Sequence, residues 1–442
     1  MRIDHLHLKN FKLFEDRKFS FHPQFNLIVG VNGTGKTSLL DALAIAAGSW
    51  FLGIPGTDSR HIRPHEVTKK RKEHIQKTGS SQSIVKYEWF DVYPCEVSAV
   101  GSAQEKNISW KRTLNRGGRT TYSQAKMIKD LAIKTFEKYE KDEDVIFPLV
   151  SYYGTGRLWQ IPKDEYQIND PMITALQGQF SRLDGYRNSI DPRISVARLT
   201  HWIAKQEWIE FQEKTELTEY TVFKKALLQC VEGAQSLEFD AKIGEVVMTI
   251  DGIAQPFSNL SDGQRCMLAL VGDIAEKAFL LNPHLGEQAL QETPGIVLID
   301  ELDLHLHPKW QRTIIDNLRT VFPKIQFFAT THSPFLIQSL RSGDELVMLD
   351  DAQTVADLAN LPIEEIAQGI QHIDNPQVSA RYENMKQAAK HYLEILEDRQ
   401  DLSDKEKLEE FKKRLAESIA PYADNPAYQA FLEMERIGKL GE

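Results

Sequence analysis

The spacing of hydrophobic and polar positions changes along the chain, and each change predicts an element. Over residues 2–30, the alternation at Ile3, Leu6 and Leu8 and the apolar run FNLIVG predict two strands. A helical period begins at Lys36, continues through TSLLDALAIAA and stops near Gly48. Strand-like stretches follow in VKYEWFDVYPCEVSAV and ISWKRTLN, then a helix in AKMIKDLAIKTFEKY and a buried strand in VIFPLVSYYG. Residues 195–232 read as helical, with Val196, Leu199, Trp202 and Ile203 on one face and Phe223, Leu227 and Leu228 in the next segment. SLEFDAKIGEVVMTIDGIAQPFSNLSDGQ reads as a hairpin-like pair feeding a helix that begins near Gly263. Strands GIVLID, IQFFATT and ELVMLD then alternate with helices PKWQRTIIDNLRTVF and PFLIQSL, a pattern that predicts an α/β domain with a largely parallel sheet. Beyond about residue 360 the chain becomes charged and helical, with breaks at the two DNP stretches.

Composition narrows the picture only at a few points. No apolar run approaches 18 residues and the N-terminus lacks a signal peptide's apolar core, so a cytoplasmic protein without a membrane span is expected. Three scattered cysteines, Cys95, Cys230 and Cys266, point to core positions rather than a disulfide framework or zinc site. The net charge of −10 disfavours a whole surface built for nucleic acid but leaves room for local basic patches. Residues 60–77 hold Arg60, Arg63, Lys69, Lys70, Arg71, Lys72 and Lys77, read either as a solvated loop or as a phosphate contact. Lys111, Arg112, Arg116 and Arg119 carry the same two readings.

The stretch GVNGTGKT, Gly30 to Thr37, matches a phosphate loop in the required context, after an apolar strand and before a helix. Glycines at 30, 33 and 35 let successive N–H groups face a phosphate, and the helix N-terminus adds its dipole. Lys36 then reaches the β- and γ-phosphates and Thr37 ligates Mg²⁺; Asn32 and Ser38 join them as candidate nucleotide contacts. GIVLIDELD sets Asp300 at the carboxyl end of a buried strand, placed to hold the metal, and Glu301 beside it as general base. FFATTHSPF repeats the device, with His332 at the strand's end placed to hydrogen-bond the γ-phosphate or the attacking water. His305 and His307 lack a third metal ligand nearby and read as turn or packing residues.

A second helix start stands at LSDGQ, with Ser261 as N-cap and Gly263 in the first turn, followed by Gln264. One nucleotide rarely needs two helix-end phosphate sites from its own chain. The expected resolution is a site shared by two copies, with Ser261, Gly263 and Gln264 of one closing on the nucleotide held by the other.

The order of phosphate loop, LSDGQ, VLIDELD and ATTHS resembles the ABC-type ATPases of the RecF and SMC class. The resemblance implies ATP and Mg²⁺, signature residues at Ser261 and Gly263, the metal-holding acid at Asp300 and the base at Glu301. It also implies an inter-subunit loop at Asp303, a switch at His332, and a further glutamine for which Gln160 is the candidate. More narrowly, HPQFNLIVGVNGTGKTSLLDALAIAAGSW, GTDSRHIRP, SYYGTGRLW and LHLHPKWQ resemble the PtuA-type ATPases of Septu and retron antiphage systems. That likeness implies a PtuB-type HNH nuclease partner and, in retron versions, a reverse transcriptase with its msDNA.

The expected architecture is an ABC-type ATPase domain with a helical lobe insertion and a C-terminal helical appendage. Residues 1–160 hold its N-terminal part with a β-rich insertion, 161–255 the helical lobe and connecting strands, 256–360 the C-terminal part, and 361–442 a helical partner-docking region. No sustained heptads separate the motifs, which weighs against a DNA-bridging role, and no acidic metal triad after His332 suggests a nuclease. The expected function is a Mg-dependent ATPase that regulates a nuclease in antiphage defence. The alternatives are a RecF-like repair ATPase on duplex DNA, a transport engine, and a module that holds ATP as a structural ligand.

Overall fold

In a computed structural model of the chain, residues 2–30 form three strands rather than two: β1 (Arg2–Phe11), β2 (Phe14–Ser20) and β3 (Phe25–Val29). The extra strand was hidden because FEDRKFS buries only Phe14 and Phe19, too few apolar positions to show alternation. The structure describes residues 1–77, 83–158, 181–349, 361–371, 373, 375–397 and 413. The chain divides into two compact units, Met1–Ile366 and Ala367–Glu442.

Part of the basic stretch is strand, not loop. β4 (Lys69–Lys77) pairs antiparallel with β5 (Ser83–Asp91), from Lys69 opposite Asp91 to Lys77 opposite Ser83. KKRKEHIQK has no apolar alternation to announce a strand; backbone pairing and cross-strand contacts hold it, including the Arg71 guanidinium 4.1 Å from the Tyr87 ring centre. Arg60 leaves the basic patch altogether, paired with Asp41 at 2.7 Å and Glu66 at 2.9 Å. The second basic cluster is thinned, since Arg112 is buried and Lys111 pairs with Glu96, while Arg116 and Arg119 stay exposed.

β6 (Cys95–Ala103) and β7 (Lys106–Leu114) join the first two strands in an antiparallel sheet of order β2-β1-β6-β7. The expected helix covers Lys126–Tyr139, and β8 (Leu149–Tyr153) follows. Two helices, Val196–Glu213 and Thr218–Cys230, stand where the helical spacing placed them, with Leu199, Trp202, Ile203, Phe223 and Leu227 buried. The hairpin-like pair is three antiparallel strands, β9 (Ala234–Asp240), β10 (Glu245–Ile250) and β11 (Ile253–Pro256), ahead of the helix Asp262–Leu281.

β12 (Gly295–Ile299), β13 (Ile325–Thr330) and β14 (Leu346–Met348) complete a five-stranded sheet of order β14-β3-β13-β12-β8. Every pairing in it is parallel. FNLIV, LVSYY, GIVLI and IQFFAT are buried at every position, as strands covered on both faces must be. The helix expected over PKWQRTIIDNLRTVF is broken into Pro308–Gln311 and Ile314–Val321. The buried Gln311 side chain pins the first piece, donating to the Leu306 carbonyl at 2.8 Å and accepting from Ser333 Oγ at 2.5 Å. Register sets Ile299 level with Tyr153 and Ala329, and Thr330 level with Ile28. The loops after β3, β8, β12 and β13 therefore open at one edge of the sheet, where α/β sheets bind ligands.

The helix Asp262–Leu281 is tied to this sheet by buried charges. Asp273 accepts from Tyr153 Oη at 2.6 Å and from Arg198 Nη2 at 3.2 Å, and pairs with Lys277 at 2.7 Å. Lys277 Nζ also donates to Ser151 Oγ, and Arg198 Nε lies 3.2 Å from Glu276. Burial opposes ionisation of both acids. Lys277 and Arg198 nevertheless hold Asp273 below the usual carboxylate value, while Glu276 is pushed up to about 7 by burial against the pull of Arg198. An unfolded glutamate titrates near 4.5. Between that value and about 7 the folded protein keeps a proton that the unfolded chain releases, so Glu276 makes stability fall as pH rises through this window. Glu276→Gln is expected to flatten that slope. Urea unfolding midpoints measured across the window check it, and an unchanged slope in the variant would refute the assignment.

Candidate functional site

β3 ends at Val29, and the chain loops through Gly30–Gly35 into the helix Lys36–Ala47. Gly33 and Gly35 have φ of +88° and +103°, backbone that L side chains rarely adopt, and a Cβ on Gly35 would stand 2.9 Å from the Phe14 ring. The helix begins with no side-chain cap hydrogen bond and no acidic residue in its first turn. Its N-terminal dipole thus meets no carboxylate from that turn. Lys36 Nζ donates to the carbonyls of Gly30 at 2.7 Å and Val31 at 3.3 Å, which holds the ammonium across the loop.

Asp300 lies at the end of β12, buried, with its N–H bonded to the Tyr153 carbonyl at 2.7 Å. Its carboxylate accepts from two strands' neighbours: Thr37 Oγ1 at 3.0 Å and Thr330 Oγ1 at 2.7 Å. The first bond joins the phosphate-loop helix to the acid pair across 263 positions of sequence. Glu301 follows in the left-handed region at φ +51°, uncommon for a residue with a side chain. Its N–H donates to Thr330 Oγ1 at 2.7 Å. Arg157, buried after β8, donates to the carbonyls of Asp300 at 2.8 Å and Glu301 at 3.1 Å.

His332 is exposed at the same edge, just past β13. Its neighbour Thr331 donates to Asp303 Oδ1 at 2.6 Å and accepts from Ser333 N–H at 2.9 Å, which ties the segment after the acid pair to the histidine turn. His307 accepts from Lys309 N–H at the start of Pro308–Gln311, a turn role. Among the described residues no cluster of three or more His, Cys, Asp or Glu could hold a metal by itself.

At LSDGQ the structure forms a capping box. Ser261 N–H donates to Gln264 Oε1 at 2.9 Å, and Gln264 N–H reaches back to Ser261 Oγ at 3.4 Å. Ser261 is exposed, but Gly263 is buried: a Cβ there would stand 2.6 Å from the His305 carbonyl oxygen. This glycine has a reason within its own chain, since it lets the helix start press on the loop that follows the acid pair.

The structure therefore brings Gly30–Thr37, Asp300, Glu301 and His332 to one sheet edge and sets Ser261–Gln264 beside the segment His305–Trp310. Asn32 is exposed and Ser38 half-buried on the loop and first helical turn. Gln160 lies outside the described residues. Sequence reasoning missed Arg157, Thr330 and Thr331. The pair of threonines ending the apolar run IQFFATT was a usable signal, whereas nothing local marked Arg157. Loop glycines and a helix end without a side-chain cap suit a polyphosphate, and a hydroxyl beside a carboxylate supplies the hard oxygens Mg²⁺ prefers, so the residues fit both.

Residues 5–232 match a family model described as an AAA domain, and 224–338 match a second AAA-domain model. The "Retron Vc95 probable ATPase" of Vibrio cholerae serotype O1 biovar El Tor is 27% identical over 77% of this chain and 72% of its own. The Septu protein PtuA of Bacillus thuringiensis is 28% identical over 81% of each. Among solved structures, an SMC head bound to the C-winged helix domain of ScpA aligns at 16% identity with a TM-score of 0.44, over 81% of this chain and 96% of that one. Among the described residues, no helix is long and apolar enough to cross a membrane.

Proposed function

The chain belongs to the AAA-domain family; from that premise we propose that it is an ATPase of ABC type and an ATP-gated regulator in antiphage defence, acting on a separate HNH-type nuclease chain. The bond from Thr37 to Asp300 carries the ATPase chemistry, because it joins the phosphate loop to the acid pair in one oxygen-lined site. Similarity to a retron probable ATPase and to a Septu protein PtuA over about four-fifths of the chain supports the defence setting.

In this reading the N–H groups of Gly30–Thr37 bind the phosphates, and Lys36 exchanges its loop carbonyls for phosphate oxygens. Thr37 and Asp300 hold Mg²⁺, which when bound supplies positive charge to the phosphates. Glu301 accepts the proton of the attacking water, and His332 orients the same water or the γ-phosphate. Ser261, Gly263 and Gln264 of a second copy close over the nucleotide, so that ATP joins two copies and hydrolysis loosens them. Residues 361–442 are the docking surface for the nuclease, and in a retron setting the assembly also includes a reverse transcriptase and its msDNA.

The test combines ATP binding, phosphate release and phage plaquing for the native chain and Lys36→Ala. The variant is expected to lose nucleotide binding and protection together. Protection that survives without nucleotide binding would sink the gating role. Co-purification of nucleic acid with no nuclease chain would favour a repair ATPase instead.

A further inference from the structure

The Arg157 guanidinium is 1% exposed, yet no ion pair to it occurs among the described residues. Its hydrogen bonds go to neutral acceptors: Nη1 to the carbonyls of Gly154 at 3.1 Å and Asp300 at 2.8 Å, Nη2 to the carbonyl of Glu301 at 3.1 Å, and Nε to Cys266 Sγ at 3.1 Å. A buried cation is costly unless its donors are met, and a purely structural arginine usually meets a carboxylate. Among the described residues the donors are spent on the carbonyls of Gly154, Asp300 and Glu301 and on one thiol.

We propose that Arg157 is a positioning residue that couples the LSDGQ helix to the acid pair. The proposal rests on the reading of Glu301 as the base. The carbonyls that Arg157 holds flank the left-handed turn at Glu301, whose N–H is held from the other side by Thr330. Those bonds fix the direction in which the Glu301 side chain leaves the backbone. Cys266 stands one turn into the helix that Ser261 caps, three residues after Gly263. A guanidinium is a rigid plane, so displacing the partner of Nε tilts both Nη groups. Movement of the signature helix as it closes on the other copy's nucleotide is thereby passed to Asp300 and Glu301 of its own chain. Occupancy of one site then sets the base of the other.

The test uses the full chain and follows equilibrium ATP binding, its Hill coefficient, and steady-state turnover. Arg157→Lys keeps the charge but cannot reach a thiol and three carbonyls at once. It is expected to lower kcat on the order of 100-fold, the cost of misplacing a reacting group by about 1 Å. KM and binding affinity should stay within about threefold, because ground-state binding is untouched. Cys266→Ala should reduce the Hill coefficient of binding toward that of independent sites, and Cys266→Ser, which keeps an acceptor, should restore it.

Non-cooperative binding by the native protein, or full cooperativity in Cys266→Ala, overturns the coupling. Native kcat in a folded Arg157→Lys overturns the positioning role, and the cysteine pair decides the matter if that variant does not fold. Glu301→Gln run in parallel separates the failures. Unchanged turnover there removes the base and this proposal with it, whereas lost turnover there beside normal Arg157→Lys removes this proposal alone.

Discussion

Replacing Glu301 with glutamine is expected to lower ATP turnover by roughly 10²–10⁴-fold, the usual contribution of a positioned general base. Glutamine has nearly the same shape and suffers the same left-handed backbone, so the turn held by Thr330 and Arg157 should persist. What disappears is the ability to take a proton from water. Nucleotide affinity should stay near native, because Lys36, Thr37 and the loop N–H groups are untouched, and copies joined by ATP should accumulate. Phosphate release and an equilibrium nucleotide titration measure the two effects separately. Turnover within about threefold of native, a change too small for the loss of a transition-state interaction, would show that Glu301 is not the base.

The largest stability effect is expected at Asp273. Its carboxylate is met by Tyr153, Arg198 and Lys277, all buried. Asp273→Asn preserves volume but removes the charge that Lys277 and Arg198 both pair with, leaving Arg198 against Glu276, a group that burial already pushes toward its neutral form. Breaking one member of a buried ion network typically costs about 3–5 kcal/mol. Chemical unfolding followed by tryptophan fluorescence would measure it, and a loss below about 1 kcal/mol, the value of an exposed pair, would mean that water reaches the network. Because these charges join the LSDGQ helix to β8 and to the helix Val196–Glu213, the variant should also loosen the helix that Ser261 caps.

Much of the site was legible in sequence because its signals are short-range. Glycine placement, the jump from an apolar strand to a helical period at Lys36, and the stop at Gly48 are decided by dihedral preferences and hydrogen bonds within a few residues. The same holds for the Ser261 cap with Gln264 and for Asp300 ending a buried run. Weak local patterns misled: FEDRKFS and KKRKEHIQK are strands because neighbours pair with them, and Gln311 breaks a helix through contacts to Leu306 and Ser333.

The sequence by itself determined the phosphate loop, the order of the motifs and the α/β alternation, since each is encoded by adjacent residues acting over one or two turns of chain. Only the tertiary structure decided that β3 lies between β13 and β14, so that Thr37 meets Asp300. It alone placed Arg157 beneath the acid pair and explained Gly263 by the close approach of His305. Those contacts join residues far apart in sequence, and their partners are chosen by sheet register, close packing and the need to satisfy buried charge, none of which a local pattern records.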